Sequence, residues 1–65
     1  MIDITINDVM EILPNETTIS DIIKSKNYKN VIVWLNDKKL LKKDYDQQIL
    51  KNGDIIKIIR VLGGG

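Results

Sequence analysis

The chain has no cysteine and no histidine among its 65 residues. Without thiols there is no disulfide staple, no thiolate nucleophile and no cysteine-built zinc site. Without imidazole, the commonest general base and metal ligand is missing as well. Most hydrolase and transferase chemistry therefore loses its usual agents. Phenylalanine is absent, and there is one tryptophan, two tyrosines and a single proline. The longest apolar run is Val31 to Leu35, far short of the ~20 residues a bilayer-crossing helix needs. An excess of one charge is also missing. Ten basic against nine acidic side chains leave a net +1, too little to drive phosphate-backbone binding by counterion release. Neither a nucleic-acid nor a membrane partner is expected. The opening Met1-Ile2-Asp3-Ile4-Thr5-Ile6 carries no basic leader or small-residue cleavage site, which predicts a cytoplasmic protein.

What is present suffices for one small domain. The apolar fraction of 43% supports a single core, although a chain this short buries only about 60% of its unfolded surface. Ile2, Ile4 and Ile6 alternate with Asp3 and Thr5, the period of a strand with one wet face. Asn7-Asp8 tolerates positive φ and closes a two-residue hairpin onto Val9 to Leu13, with Met10 and Ile12 expected inward opposite Glu11. Pro14 ends that strand. Thr18 with Asp21 three residues on reads as a helix start, and Ile19, Ile22 and Ile23 form one apolar stripe. A third strand follows at Val31 to Leu35, then a second Asn-Asp turn and a short return through Leu40-Leu41. Lys42 to Lys51 reads as a crossing loop anchored by Tyr45 and Ile49. Asn52-Gly53-Asp54 turns the chain into a last strand, Ile55 to Leu62.

This order predicts an α+β domain over residues 1–62, a mixed sheet of four to five strands with one helix packed on one face. If the last strand fits between the two hairpins, parallel to the first, the arrangement is a β-grasp. Residues 63–65 are then a flexible glycine tail. Glycine loses the most backbone entropy on ordering, and no following element needs a turn there. A frayed end is the plain reading of Gly63-Gly64-Gly65. The functional one is a thread: without Cβ atoms these residues fit a narrow channel, and extended they add about 10 Å of reach.

Four features taken together resemble the ThiS family of sulfur carriers, within the ubiquitin-like β-grasp superfamily. They are the Ile-rich start, the Thr17-Thr18-Ile19 helix entry, Leu35-Asn36-Asp37-Lys38-Lys39-Leu40 and Lys51-Asn52-Gly53-Asp54-Ile55-Ile56 followed by the glycines. Asp37 stands where the family commonly has glycine, and Gly63 precedes the family's minimal pair Gly64-Gly65. The resemblance implies a noncatalytic protein acted on by an ATP-dependent enzyme. A ThiF-like adenylyltransferase, using ATP and magnesium, transfers AMP to the Gly65 carboxylate. Sulfur from a persulfide donor then displaces AMP, and the thiocarboxylate serves a ThiG-like thiazole synthase in thiamine biosynthesis. The chain itself is expected to bind no cofactor and no metal. Carriers for molybdopterin or cysteine biosynthesis and ubiquitin-like modifiers share this fold and tail, and a β-grasp binding module with incidental glycines is a rival of another class.

Strand alternation directs Val31, Val33 and Leu35 to the helix, leaving Ile32 and Trp34 on the open face. Ile59 and Val61 are expected beside them, so that Ile32, Trp34, Ile59 and Val61 form an apolar partner-binding patch. The alternative is that the 42–51 loop covers Trp34. Lys38, Lys39, Lys42, Lys43 and Lys51 read either as a solvated face that blunts sheet edges or as a contact for an acidic partner. Asp3, Asp8, Asp21 and Asp54 lack the paired spacing of a metal or glycosidase site and read as turn and cap residues.

Overall fold

A computed structural model of the chain describes residues 1–61. Along them run β1 (Ile2–Ile6), β2 (Val9–Leu13), α1 (Ile19–Ser25), β3 (Val31–Leu35), β4 (Lys38–Lys39) and β5 (Ile55–Arg60), with a 3₁₀ turn at Lys42–Asp44. The strands form one mixed sheet in the order β2-β1-β5-β3-β4. β5 is central, parallel to β1 and antiparallel to β3. This is the β-grasp expected from the element order. The last strand is regular to Arg60; its expected end at Leu62, like the tail at Gly63, Gly64 and Gly65, lies outside the described residues.

Both hairpin turns are built by Asn-Asp. Asn7 (φ 48°) and Asp8 (φ 69°), then Asn36 (φ 50°) and Asp37 (φ 69°), occupy the left-handed region at both central positions. That is the type I′ geometry whose twist matches flanking antiparallel strands. So tight a turn fixes the register, and the register corrects two expectations. Ile6 pairs with Val9, Thr5 with Met10 and Ile4 with Glu11. Met10 and Ile12 therefore lie beside Thr5 and Asp3 on the open face, 72% and 63% exposed, and not inward. Glu11 points to the helix side, where the Lys26 ammonium donates to it at 2.9 Å. The second turn likewise pairs Leu35 with Lys38 and Trp34 with Lys39, so the return strand is Lys38–Lys39 and not Leu40-Leu41.

Helix α1 begins as its sequence suggests. The Thr18 hydroxyl accepts from the Asp21 N–H (3.1 Å) while the Asp21 carboxylate accepts from the Thr18 N–H (3.0 Å). This reciprocal capping box satisfies two amides the helix cannot. Ile19 and Ile22 then reach the core, which Ile4, Val33 and Ile56 complete almost without solvent contact. The 42–51 segment closes the edge of this core. Tyr45 and Leu50 are buried, whereas Ile49, the anchor expected there with Tyr45, is 49% exposed and forms an isolated bridge with Thr18. The loop is tied to the helix entry by Leu50 N–H to Thr17 O (2.8 Å) and Ile19 N–H to Gln48 O (3.2 Å).

Three asparagine side chains extend the ladder where strands turn away. Asn7 accepts from the Ile58 N–H (2.8 Å) and donates to the Ile58 carbonyl (3.2 Å). Asn36 accepts from the Ile55 N–H (2.9 Å), and Asn52 from the Asp3 N–H (2.7 Å). Next to Asn52, Gly53 holds φ +89°, a conformation an L side chain adopts only with strain. The central strand is thus held along its length before it delivers the chain end.

Candidate functional site: the tail root and the open sheet face

The last described residue is also the root of the glycine tail. The Val61 N–H donates to the Asn30 carbonyl at 2.8 Å, and Asn30 presents that carbonyl from a left-handed turn (φ 52°). One residue earlier, the Arg60 guanidinium lies over the Tyr28 ring, 5.9 Å from its centre. That is within cation–π range. Strand β5 therefore leaves the sheet at a fixed point, clamped by one backbone bond and one stacked cation.

Alternation along β5 gives the root two different sides. Ile56 and Ile58 are buried under the helix, so Ile55, Lys57 and Ile59 face away from it. On the open face Ile59 pairs directly with Ile32, and Lys57 with Trp34. Ile59, Val61 and Trp34 are 51%, 45% and 37% exposed, and Ile32 is half-buried. Strand alternation puts these residues on the same open face, with Ile32 and Ile59 near the end of β5 and Trp34 farther back, opposite Lys57. The 42–51 loop is bonded to the helix entry, and the Tyr45 hydroxyl approaches the Val31 carbonyl (3.5 Å), which leaves Trp34 on the open face. Sequence reasoning missed Met10 and Ile12, which are exposed on the same open face as Ile55 but are separated from it by Asp3 and Thr5 of β1. The signal was available, because a two-residue turn after Ile6 places Met10 beside Thr5.

Few groups with shifted acidity accompany this surface. The Asp21 carboxyl is held below the usual carboxylate range, chiefly by the Thr18 backbone N–H, then by the Thr18 hydroxyl. It serves the helix cap. The Lys38–Lys39 edge strand fits the edge-blunting reading of those lysines. Among the described residues no helix is long and apolar enough to cross a membrane.

Comparison with known proteins decides the family. The model of the ThiS family matches residues 2–65. The chain belongs to the ThiS family. Two solved structures share its fold. The crystal structure of the thiamine biosynthesis protein ThiS from Geobacter metallireducens is 20% identical, with a TM-score of 0.83 over 98% of this chain and 100% of that one. A solution NMR structure of a thiamine biosynthesis protein from the same organism is 20% identical, with a TM-score of 0.79 over 98% of this chain and 88% of that one. No curated protein matches the sequence. ThiS proteins are small carriers and not catalysts.

Proposed function

We propose that this protein is the sulfur carrier of thiamine biosynthesis and that its reacting atom is the carboxyl carbon of Gly65. The family match carries this reading, because it runs through the terminal glycines. A carboxylate is a poor electrophile: its charge is delocalised and oxide is a poor leaving group. A ThiF-like adenylyltransferase therefore activates it with ATP and magnesium, releasing pyrophosphate and leaving an acyl-adenylate. The terminal sulfur of a persulfide donor displaces AMP and forms an acyl disulfide. A second thiol, which this cysteine-free chain does not supply, then cleaves the S–S bond, forming a disulfide with the donor's inner sulfur and releasing the Gly65 thiocarboxylate, which delivers sulfur to a ThiG-like thiazole synthase. The carrier supplies no acid, base or metal to these steps. Its contributions are position and access: a chain end without side chains, through Gly63 and Gly64, that enters a catalyst built elsewhere.

Docking falls to the open face. Trp34 is the aromatic anchor, with Ile32, Ile59 and Val61 around it, a composition typical of binding hot spots. Ile32 and Ile59 pair near the end of β5 and Trp34 lies farther back on the same face, opposite Lys57; this supports the assignment, since a partner that grips this face lies alongside the strand from which the tail continues. ATP–pyrophosphate exchange by the adenylyltransferase tests it. Trp34→Ala is expected to raise the carrier concentration needed for half-maximal exchange by about tenfold or more, the loss of one hot-spot residue, without a comparable fall in melting temperature. Removal of Gly64-Gly65 is expected to abolish exchange with the fold intact. Unchanged exchange by the truncated chain would refute the assignment of the tail.

A further inference from the structure

The tail root carries a second feature that the apolar face does not explain. Arg60 pairs with Val31 across the sheet and stacks on Tyr28, so it stands on the side opposite Ile59. Lys29 and Arg60 line one recess together with Asn27, Asn30 and Val61. Lys29 also lines the adjoining recess, together with Lys42, Tyr28 and Tyr45. No acidic residue lines either recess. Among the described residues the one salt bridge is Lys26 to Glu11, so these three cations are not neutralised within the described chain. In a protein of net charge +1, three cations thus line two adjoining recesses at the end of β5, with no salt bridge to any of them among the described residues. Like charges brought together destabilise a fold and raise affinity for an anionic surface.

We propose that Arg60, Lys29 and Lys42 form a cationic collar that pairs with carboxylates rimming the tail channel of the activating enzyme. The inference rests on the carrier reading and adds the chemistry of the partner's surface to it. Strand β5 ends with two unlike sides, an apolar one with Ile59 and a charged one with Arg60, which lines a recess with Lys29. A glycine thread has no side chains to define its rotation about its own axis. A strand end with one apolar and one charged side gives a partner two kinds of contact with which to fix how the chain is presented. The collar also steers encounter, since complementary charge raises association rates in low salt and loses effect as salt screens it.

Calorimetric binding of the full chain to the ThiF-like adenylyltransferase, over a range of salt concentrations, tests the collar. Lys29→Glu/Lys42→Glu is expected to weaken binding about tenfold at low ionic strength, with the difference vanishing near 1 M salt, where the screening length is only about 3 Å. Lys51→Glu alters charge at the start of β5, away from the root, and is expected to change affinity less than about twofold. Both lysines of the double variant are exposed, and an unchanged melting curve confirms that folding is intact. Equal affinities for the wild type and the double variant, equal losses for the double and Lys51 variants, or no binding by the wild type would each overturn the collar. Pyrophosphate exchange is read separately. Binding with the expected charge dependence but without exchange would sink the carrier chemistry and leave the collar standing.

Discussion

Asn7 gives the most informative test of how the central strand is held. Its side-chain amide replaces a strand residue: the oxygen takes the Ile58 N–H at 2.8 Å and the nitrogen gives to the Ile58 carbonyl at 3.2 Å. Asn7→Asp keeps the size, the tolerance for φ 48° and the acceptor, but it turns a carboxylate oxygen toward the Ile58 carbonyl. Ile58 is 8% exposed, so its carbonyl loses a partner and gains a like-signed neighbour. A buried polar group left unsatisfied costs about 1–3 kcal/mol. Taking about 2 kcal/mol, a domain of this size should melt roughly 8–16 °C lower at neutral pH. Protonation restores a donor, so the folded variant holds its proton more tightly, and the pKa of the introduced carboxyl rises above its unfolded value of about 3.9. The rescue is then fully present below the unfolded pKa and is lost as pH rises through the folded one. Thermal melting of both proteins from pH 3 to neutrality, with amide exchange at Ile58, reads this out. A melting point within about 2 °C of wild type at neutral pH, or parallel pH profiles, would refute the reasoning.

Four further outcomes are expected. Ile56→Ala removes a fully enclosed core side chain and should cost about 2–5 kcal/mol, enough to leave the domain largely unfolded by circular dichroism. Thr18→Ala breaks the capping box and should cost about 1 kcal/mol in urea titration. It should also reduce the acid sensitivity contributed by Asp21, whose lowered pKa gives stability that is present above the unfolded carboxylate value and lost as pH falls through the folded one. Glu11→Val removes the inward charge from an edge strand whose Val9, Met10 and Ile12 are already exposed, and light scattering should show concentration-dependent association. Lys26→Ala breaks a partly exposed ion pair and should change stability by about 0.2–1 kcal/mol, far less than the core variant.

The parts of the fold that short-range chemistry dictates were legible in the sequence. The Asn-Asp pairs named both hairpin turns, Thr18 with Asp21 named the helix start, and the Ile2-Ile4-Ile6 alternation named the buried face of β1. Where reading failed, hydropathy was allowed to outweigh register. Met10 and Ile12 looked like core residues because they are apolar, yet the turn puts Glu11 opposite Ile4, and the long-range ion pair with Lys26 makes that tolerable. Ile49 and Leu50 are adjacent and equally apolar, and a loop without periodicity gives no means of choosing between them; contact with the helix entry decides for Leu50. Of the candidate site, the apolar patch followed from strand parity alone. The gathering of Lys29, Lys42 and Arg60 did not, since these residues meet only when the turn before β3, the 3₁₀ turn and the end of β5 come together in three dimensions.

The proposed chemistry alters one carboxyl group, that of Gly65, so mass reads it most directly. The intact protein, incubated with ATP, magnesium, a ThiF-like adenylyltransferase, a persulfide sulfur source and a thiol reductant that cleaves the acyl disulfide, should gain the mass difference of one oxygen-for-sulfur exchange, located by fragmentation at Gly65. A wild-type chain that never gains that mass, or a chain lacking Gly64-Gly65 that still does, would contradict it.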